Sequence, residues 1–255
     1  MESSTKEWLN RSAWHADQEY DEKENIRLER ACAFLRREAE RQRLERRYNV
    51  LDVGCGVGPL RQWLPEDRFR VVGLDISSEA ADFARNRYDE CAVGDVEGTW
   101  PFEPQSHDAV HAGAIMEHVL DWHAPLNQAS RVLEDEGLIV MSVPNLRYWK
   151  EIRRLIKGKQ PHWISDMKHV HGYTPRFLHE LLRIHGFAVE EMEADKVDLP
   201  LMPKGRRWGC RRLAGLGSVM ILSARLTRRV RVEDGARAHE FPDHKPVSCR
   251  AIEIL

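Results

Sequence analysis

The sequence has few cysteines, no long apolar run and almost no net charge, and each scarcity removes a class of protein. Cys32, Cys55, Cys91, Cys210 and Cys249 are odd in number, scattered, and never form a C-x-x-C pair. That spacing speaks against a disulfide framework or a structural zinc site and fits a reducing compartment. No stretch approaches the roughly 20 apolar residues needed to span a bilayer. Residues 1–10 are polar where a secretory signal would be apolar, so the chain reads as cytoplasmic. Its 39 basic and 41 acidic residues leave a formal charge of -2, which gives no global attraction to nucleic acid. What is plentiful is core-forming material. With 42% hydrophobic residues beside 31% charged ones, the composition suits a water-soluble α/β domain with additions.

Three regions differ in texture. In residues 1–47, Ile26, Leu28, Ala31, Phe34, Leu35 and Leu44 recur mainly on one helical face, which predicts an N-terminal helical extension. Trp8 and Trp14 lie upstream and read as anchors that dock this segment. Residues 48–198 alternate short apolar runs with helical patterns. Strands are expected at Val50–Val53, Phe69–Asp75, Cys91–Val93, Asp108–Ala112, Leu138–Val143 and Phe187–Met192. Helices are expected at Ser78–Arg87 and Ala124–Leu133, and from Thr174-Pro175 to Ile184, where threonine caps and proline fits the first turn. Such alternation implies a parallel sheet with right-handed crossovers.

The third region, 199–255, begins with a basic segment over residues 204–231. Its apolar residues Leu213, Leu216, Val219, Met220, Ile221, Leu222 and Leu226 read as a core-packed helix with a solvated basic face. A weak contact with an anionic membrane surface is the alternative for this segment. Ala251–Leu255 reads as a last strand completing the core. The expected architecture is α/β: a Rossmann-like, doubly wound, seven-stranded, mainly parallel sheet.

The first strand runs into Gly54-Cys55-Gly56-Val57-Gly58, where glycines permit positive φ and close approach of backbone to a ligand. The glycines fall at alternate positions and Pro59 follows, unlike the G-x-G-x-x-G pyrophosphate fingerprint. Asp75 ends the second strand, placed to accept hydrogen bonds from two ribose hydroxyls. Gly94-Asp95-Val96 follows the third, where a polar side chain and backbone groups can read an adenine edge. Asp52 either meets the amino group of a cofactor or braces the glycine loop.

Taken in order, these segments resemble a class I S-adenosylmethionine-dependent methyltransferase. Asp52 to Gly58 is similar to that family's first motif, and Gly73-Leu74-Asp75-Ile76-Ser77 to its ribose-binding motif. Gly94-Asp95-Val96, Trp100-Pro101-Phe102, His107-Asp108-Ala109-Val110 and Met116-Glu117-His118-Val119 match its later signatures. The resemblance implies S-adenosylmethionine held by Asp52, Gly54, Cys55, Gly56, Gly58, Asp75, Ile76, Gly94, Asp95 and Val96. Further on, Ser142 to Trp149 and Lys168 to Thr174 resemble small-molecule methyltransferases of cell-envelope polysaccharide and quinone pathways. Two departures stand out. Asp135-Glu136-Gly137 replaces a proline-glycine turn, and the segment His169, His171, Gly172, Tyr173, Thr174 lacks the family's arginine and one aromatic ring.

Methyl transfer from a sulfonium mainly requires alignment and exclusion of water. A base is needed where the acceptor is a hydroxyl. The candidates are His118 and His169, each with a structural hydrogen-bonding role as its alternative; His171 is the weaker match. Glu117, His118 and His123 could also gather a divalent metal, but their spacing does not require it and no metal is expected. Trp149, Trp163 and Tyr173 fall in an insertion that can form a lid or simply pack. The expected reaction is methyl transfer to a small-molecule acceptor, at oxygen. The rivals are a cofactor-binding protein without acceptor chemistry, an NAD-dependent enzyme, and a protein or RNA methyltransferase with an extended charged groove.

Overall fold

A computed structural model of the protein describes residues 22–164, 169–195, 197 and 215–230. The first element is α1 (Glu22–Gln42). It leads into β1 (Tyr48–Val53), β2 (Phe69–Asp75), α2 (Ser78–Ala84), β3 (Glu90–Val93) and β4 (His107–Gly113). Then come α3 (His123–Val132), β5 (Leu133–Pro144), α4 (Trp149–Ile156), α5 (Pro175–Ile184), β6 (Phe187–Ala194) and β7 (Val219–Leu226). Trp8, Trp14 and Ala251–Leu255 lie outside the described residues. No helix among the described residues is long and apolar enough to cross a membrane.

The strands form one seven-stranded sheet in the order β3-β2-β1-β4-β5-β7-β6. β3, β2, β1, β4 and β5 run parallel, while β7 is antiparallel to both neighbours. The chain winds outward from β1 through β2 to β3, then returns to place β4 on the other side of β1. Loops leaving β1 and β4 therefore diverge and open a crevice at the carboxyl edge, where ligands bind in such sheets.

Alternate residues of the inner strands feed two cores, one on each face. Leu51, Val53, Val72 and Leu74 join a cluster with Leu178, Leu181 and Leu182 of α5. Val50, Ala109 and Val140 join the opposite cluster with Leu28, Ala31, Phe34 and Leu35 of α1. Burial on both faces explains the near-continuous apolar run Leu138–Val143 of β5. The helix starts are built locally. Ser77 Oγ accepts from Ala80 N at 3.2 Å to cap α2, and Thr174 Oγ1 accepts from Phe177 N at 3.3 Å ahead of Pro175 to cap α5.

The basic third region departs from expectation. Residues 219–226 are not a helix but the strand β7, with Met220, Ile221, Leu222 and Ala224 fully buried. Its register against Leu138–Pro144 of β5 places these residues inside the sheet, so they are not available to a membrane surface. Arg225, within the strand, bridges Glu38 of α1 and Glu190 of β6. For Glu38, burial alone would raise the carboxyl. Hydrogen bonds from Arg41, Arg225 and Gln42 outweigh it and hold the group at about 2.

Candidate functional site

The glycine loop is stitched to its neighbouring strand. Gly54 N and Cys55 N both donate to Leu74 O, at 2.8 and 3.1 Å. Gly54 has φ 70° and Gly58 φ 76°, in the left-handed region that favours glycine. A Cβ at Gly54 would also lie 2.8 Å from Ile115 Cδ1, so the loop is pressed directly against the segment that follows β4.

Asp75 ties the three signature loops together. Its Oδ2 accepts from Gly56 N at 2.8 Å and its Oδ1 from Ser77 N at 2.9 Å. Its carbonyl accepts from Gly94 N at 2.8 Å. Burial raises the Asp75 carboxyl, and these backbone hydrogen bonds oppose the rise. Ile76 beside it is exposed. Asp95 turns its own loop, Oδ1 accepting from Glu97 N at 2.9 Å. Val96 is buried and its carbonyl takes the Trp100 indole N–H at 3.0 Å. Cys55 is buried, its sulfur 3.5 Å from that of Cys91. Both sulfurs occupy the space over Gly73, where a Cβ would be 2.7 and 2.8 Å from them.

Asp52 reaches no backbone N–H of the glycine loop. One oxygen takes His111 Nδ1 at 2.7 Å and the other the Tyr88 hydroxyl at 2.6 Å. The Tyr88 oxygen in turn accepts from Leu60 N at 3.1 Å. Sequence reasoning passed over both His111 and Tyr88. Neither sits in a motif, and only strand register, with Asp52 opposite His111, pairs the first with the loop.

The segment after β4 is joined to the segment before α5 by backbone. Val170 N and His171 N donate to Glu117 O at 2.8 and 3.3 Å, and Leu146 N donates to Tyr173 O at 2.8 Å. The Tyr173 hydroxyl donates to Met116 O at 2.7 Å. Residues 169–173 thus lie along residues 116–118. The His118 and His169 rings meet edge to face with centroids 4.6 Å apart, and Trp163 stacks on His169 at 6.1 Å. Tyr173 is fully buried and packs rather than lines a lid.

Glu117 completes this group and was no more than a metal candidate in the sequence. It is 2% exposed, and its Oε2 has no hydrogen-bond partner among the described residues. Burial pushes the carboxyl up to about 7, with Arg27 of α1 pulling it back only weakly. Glu117, His118 and His169 each offer a ligand atom, all within 4.8 Å of one another, so this trio could hold a cation. His123, grouped with them on sequence, is committed elsewhere. Its Nδ1 bonds His185 Nε2 at 3.1 Å and its Nε2 accepts from the Trp122 indole at 3.2 Å. His171 lies against Trp122, ring centroids 4.4 Å apart.

A family model described as "Methyltransferase domain" matches residues 20–192. A ubiquinone biosynthesis O-methyltransferase of Bradyrhizobium diazoefficiens is 32% identical over 117 residues, 44% of this chain and 45% of that protein. A malonyl-[acyl-carrier protein] O-methyltransferase of Yersinia pestis is 33% identical over 95 residues, 36% of this chain and 35% of that protein. The chain therefore spans less than half the length of these curated relatives. Among solved structures, a 1,6-didemethyltoxoflavin-N1-methyltransferase of Burkholderia thailandensis, with its namesake compound and S-adenosylhomocysteine bound, superposes with a TM-score of 0.53 at 19% identity. That match covers 79% of each chain and concerns the fold alone.

Proposed function

The chain belongs to the class I S-adenosylmethionine-dependent methyltransferase family, and from that premise we propose that it methylates a hydroxyl of a small-molecule acceptor, with His118 or His169 as base. The cofactor, when bound, supplies an electrophilic methyl group on a sulfonium. The observation that carries the reading is the histidine pair beside buried Glu117, in a turn closed by His118 N on the carbonyl of Ile115, whose side chain packs on Gly54 of the glycine loop. An imidazole there would take the proton that an acceptor hydroxyl gives up as it receives the methyl group. Trp163 stacks on His169 and offers an apolar wall that excludes water. The names of the two curated relatives, both O-methyltransferases, support oxygen as the target.

Screening phenolic, sugar and lipid hydroxyl acceptors for S-adenosylhomocysteine release tests the proposal. Turnover with a hydroxyl acceptor supports it. Turnover only with an amine, or only with a protein or RNA, overturns it.

The trio of ligand atoms within 4.8 Å favours a second reading, in which a divalent cation lowers the acceptor's pKa instead. Chelation followed by magnesium or zinc addition would abolish and then restore turnover under this reading. Under the first it would change nothing.

A further inference from the structure

The Asp52–His111 pair leaves one polar atom without a purpose in the fold. Asp52 and His111 are register partners on adjacent strands, so their side chains leave the sheet on the same face. A carboxylate only accepts, so His111 Nδ1 carries the hydrogen in their 2.7 Å bond. In the tautomer that this bond selects, Nε2 carries the lone pair. That nitrogen is buried and has no hydrogen-bond partner among the described residues, on a side chain 3% exposed. Leaving a buried polar atom unsatisfied carries a desolvation cost, and such costs persist where a ligand repays them.

The ring's direction says where the ligand would be. A Cβ at Gly113, the last residue of β4, would stand 2.5 Å from His111 Cε1 and 2.8 Å from Nε2. The imidazole therefore leans toward the carboxyl edge, into room that exists only because residue 113 is glycine. Along the same edge, the cofactor's ribose at Asp75 and its adenine at Asp95 would lie toward β2 and β3. Its amino-acid half must then extend the other way, to the junction of β1 and β4 where His111 stands.

We infer that His111 Nε2 accepts a hydrogen bond from the α-ammonium of the cofactor, with Asp52 behind it. Asp52, its two oxygens already taken by His111 and Tyr88, acts on that cation through the imidazole rather than by touching it. The inference rests on the chain's use of S-adenosylmethionine and names a residue for one end of it.

Calorimetric titration of the full chain with S-adenosylhomocysteine and with its deaminated analogue, in which hydrogen replaces the ammonium, separates the outcomes. Wild type should prefer the amine by about tenfold or more, about 1.4 kcal/mol. His111→Ala should erase that preference while leaving the deaminated analogue's affinity within about twofold, the signature of coupling between the two deleted groups. His111→Gln, which returns an acceptor near Nε2, should regain part of the preference; His111→Leu, which returns bulk but no acceptor, should not, and it serves in place of the alanine variant should that one fail to fold. A preference that survives intact in the alanine or leucine variant overturns the inference, as does equal weakening toward both ligands. Absence of S-adenosylhomocysteine binding by folded wild type overturns the cofactor assignment itself, and the inference with it.

Discussion

Val170 donates its backbone N–H to the Glu117 carbonyl at 2.8 Å, and that bond sets His169 against His118. Residues far apart in sequence become one chemical unit because the segment before α5 is laid along the segment after β4. If the unit supplies the base, His118→Ala and His169→Ala should divide in effect. The variant that removes the base should lower kcat by about 10²-fold, with S-adenosylhomocysteine affinity changed by no more than about twofold. Steady-state kinetics on the first acceptor found, paired with calorimetry, would show it.

Asp75→Ala should act on the cofactor alone. The substitution deletes the acceptor of Gly56 N and Ser77 N, so the glycine loop loses its brace. S-adenosylhomocysteine binding should weaken by about tenfold or more, about 1.4 kcal/mol. Unchanged affinity would remove Asp75 from the site.

Glu117 should make the protein less stable as pH rises. Its folded carboxyl titrates at about 7, above the ordinary 4.5. Ionisation therefore favours the unfolded chain increasingly as pH rises from about 4.5 to about 7, and the penalty levels off beyond. Glu117→Gln should be more stable than wild type at pH 8, by about 2 kcal/mol, with the difference fading near pH 4. Urea melts at the two pH values would measure it, and an unchanged or negative difference at pH 8 would contradict the prediction.

Glu38 should show the opposite dependence. Held at about 2 by its arginines and glutamine, it stabilises the fold above about pH 4.5 and loses that contribution as pH falls toward about 2. Glu38→Gln should cost about 2 kcal/mol at neutral pH, partly by leaving Arg225 with Glu190 as its remaining carboxylate partner, and less in acid. Thermal melts across that range would follow the two curves as they converge.

The sequence made some of this legible and hid the rest, for identifiable reasons. β2 (Phe69–Asp75) and α5 (Pro175–Ile184) were readable to the residue, because an apolar run between turns and a Thr-Pro start are local signals. The loops at Gly54, Asp75 and Gly94 were readable because backbone chemistry demands glycine or a carboxylate there. β7 was not. Its run of apolar residues ends in Arg225 and is followed by more arginines, and a short run of that kind fits a buried helix as well as a strand. Only its register against β5 and β6, and the carboxylates waiting for Arg225, decide the matter. The same holds for His111 and Tyr88, whose roles arise from strand order and burial around Asp52. Glu117 belongs between the two cases: its position in the motif was visible, but its burial and the arrival of His169 beside it were not.

The place of β7 also bears on the order in which the protein can assemble. β5 and β6 are both in hand by residue 194, yet the strand that joins them comes last among the described elements and ends at Leu226. Until it arrives, β5 presents a bare edge of unpaired backbone groups, and β6 has no neighbour in the sheet. A nascent chain can therefore pair β3, β2, β1, β4 and β5 first but must leave the β5 edge open until an arginine-bearing strand arrives to pair with β5 and β6. Such a late, long-range closure is slow and leaves a sticky edge exposed until it is complete.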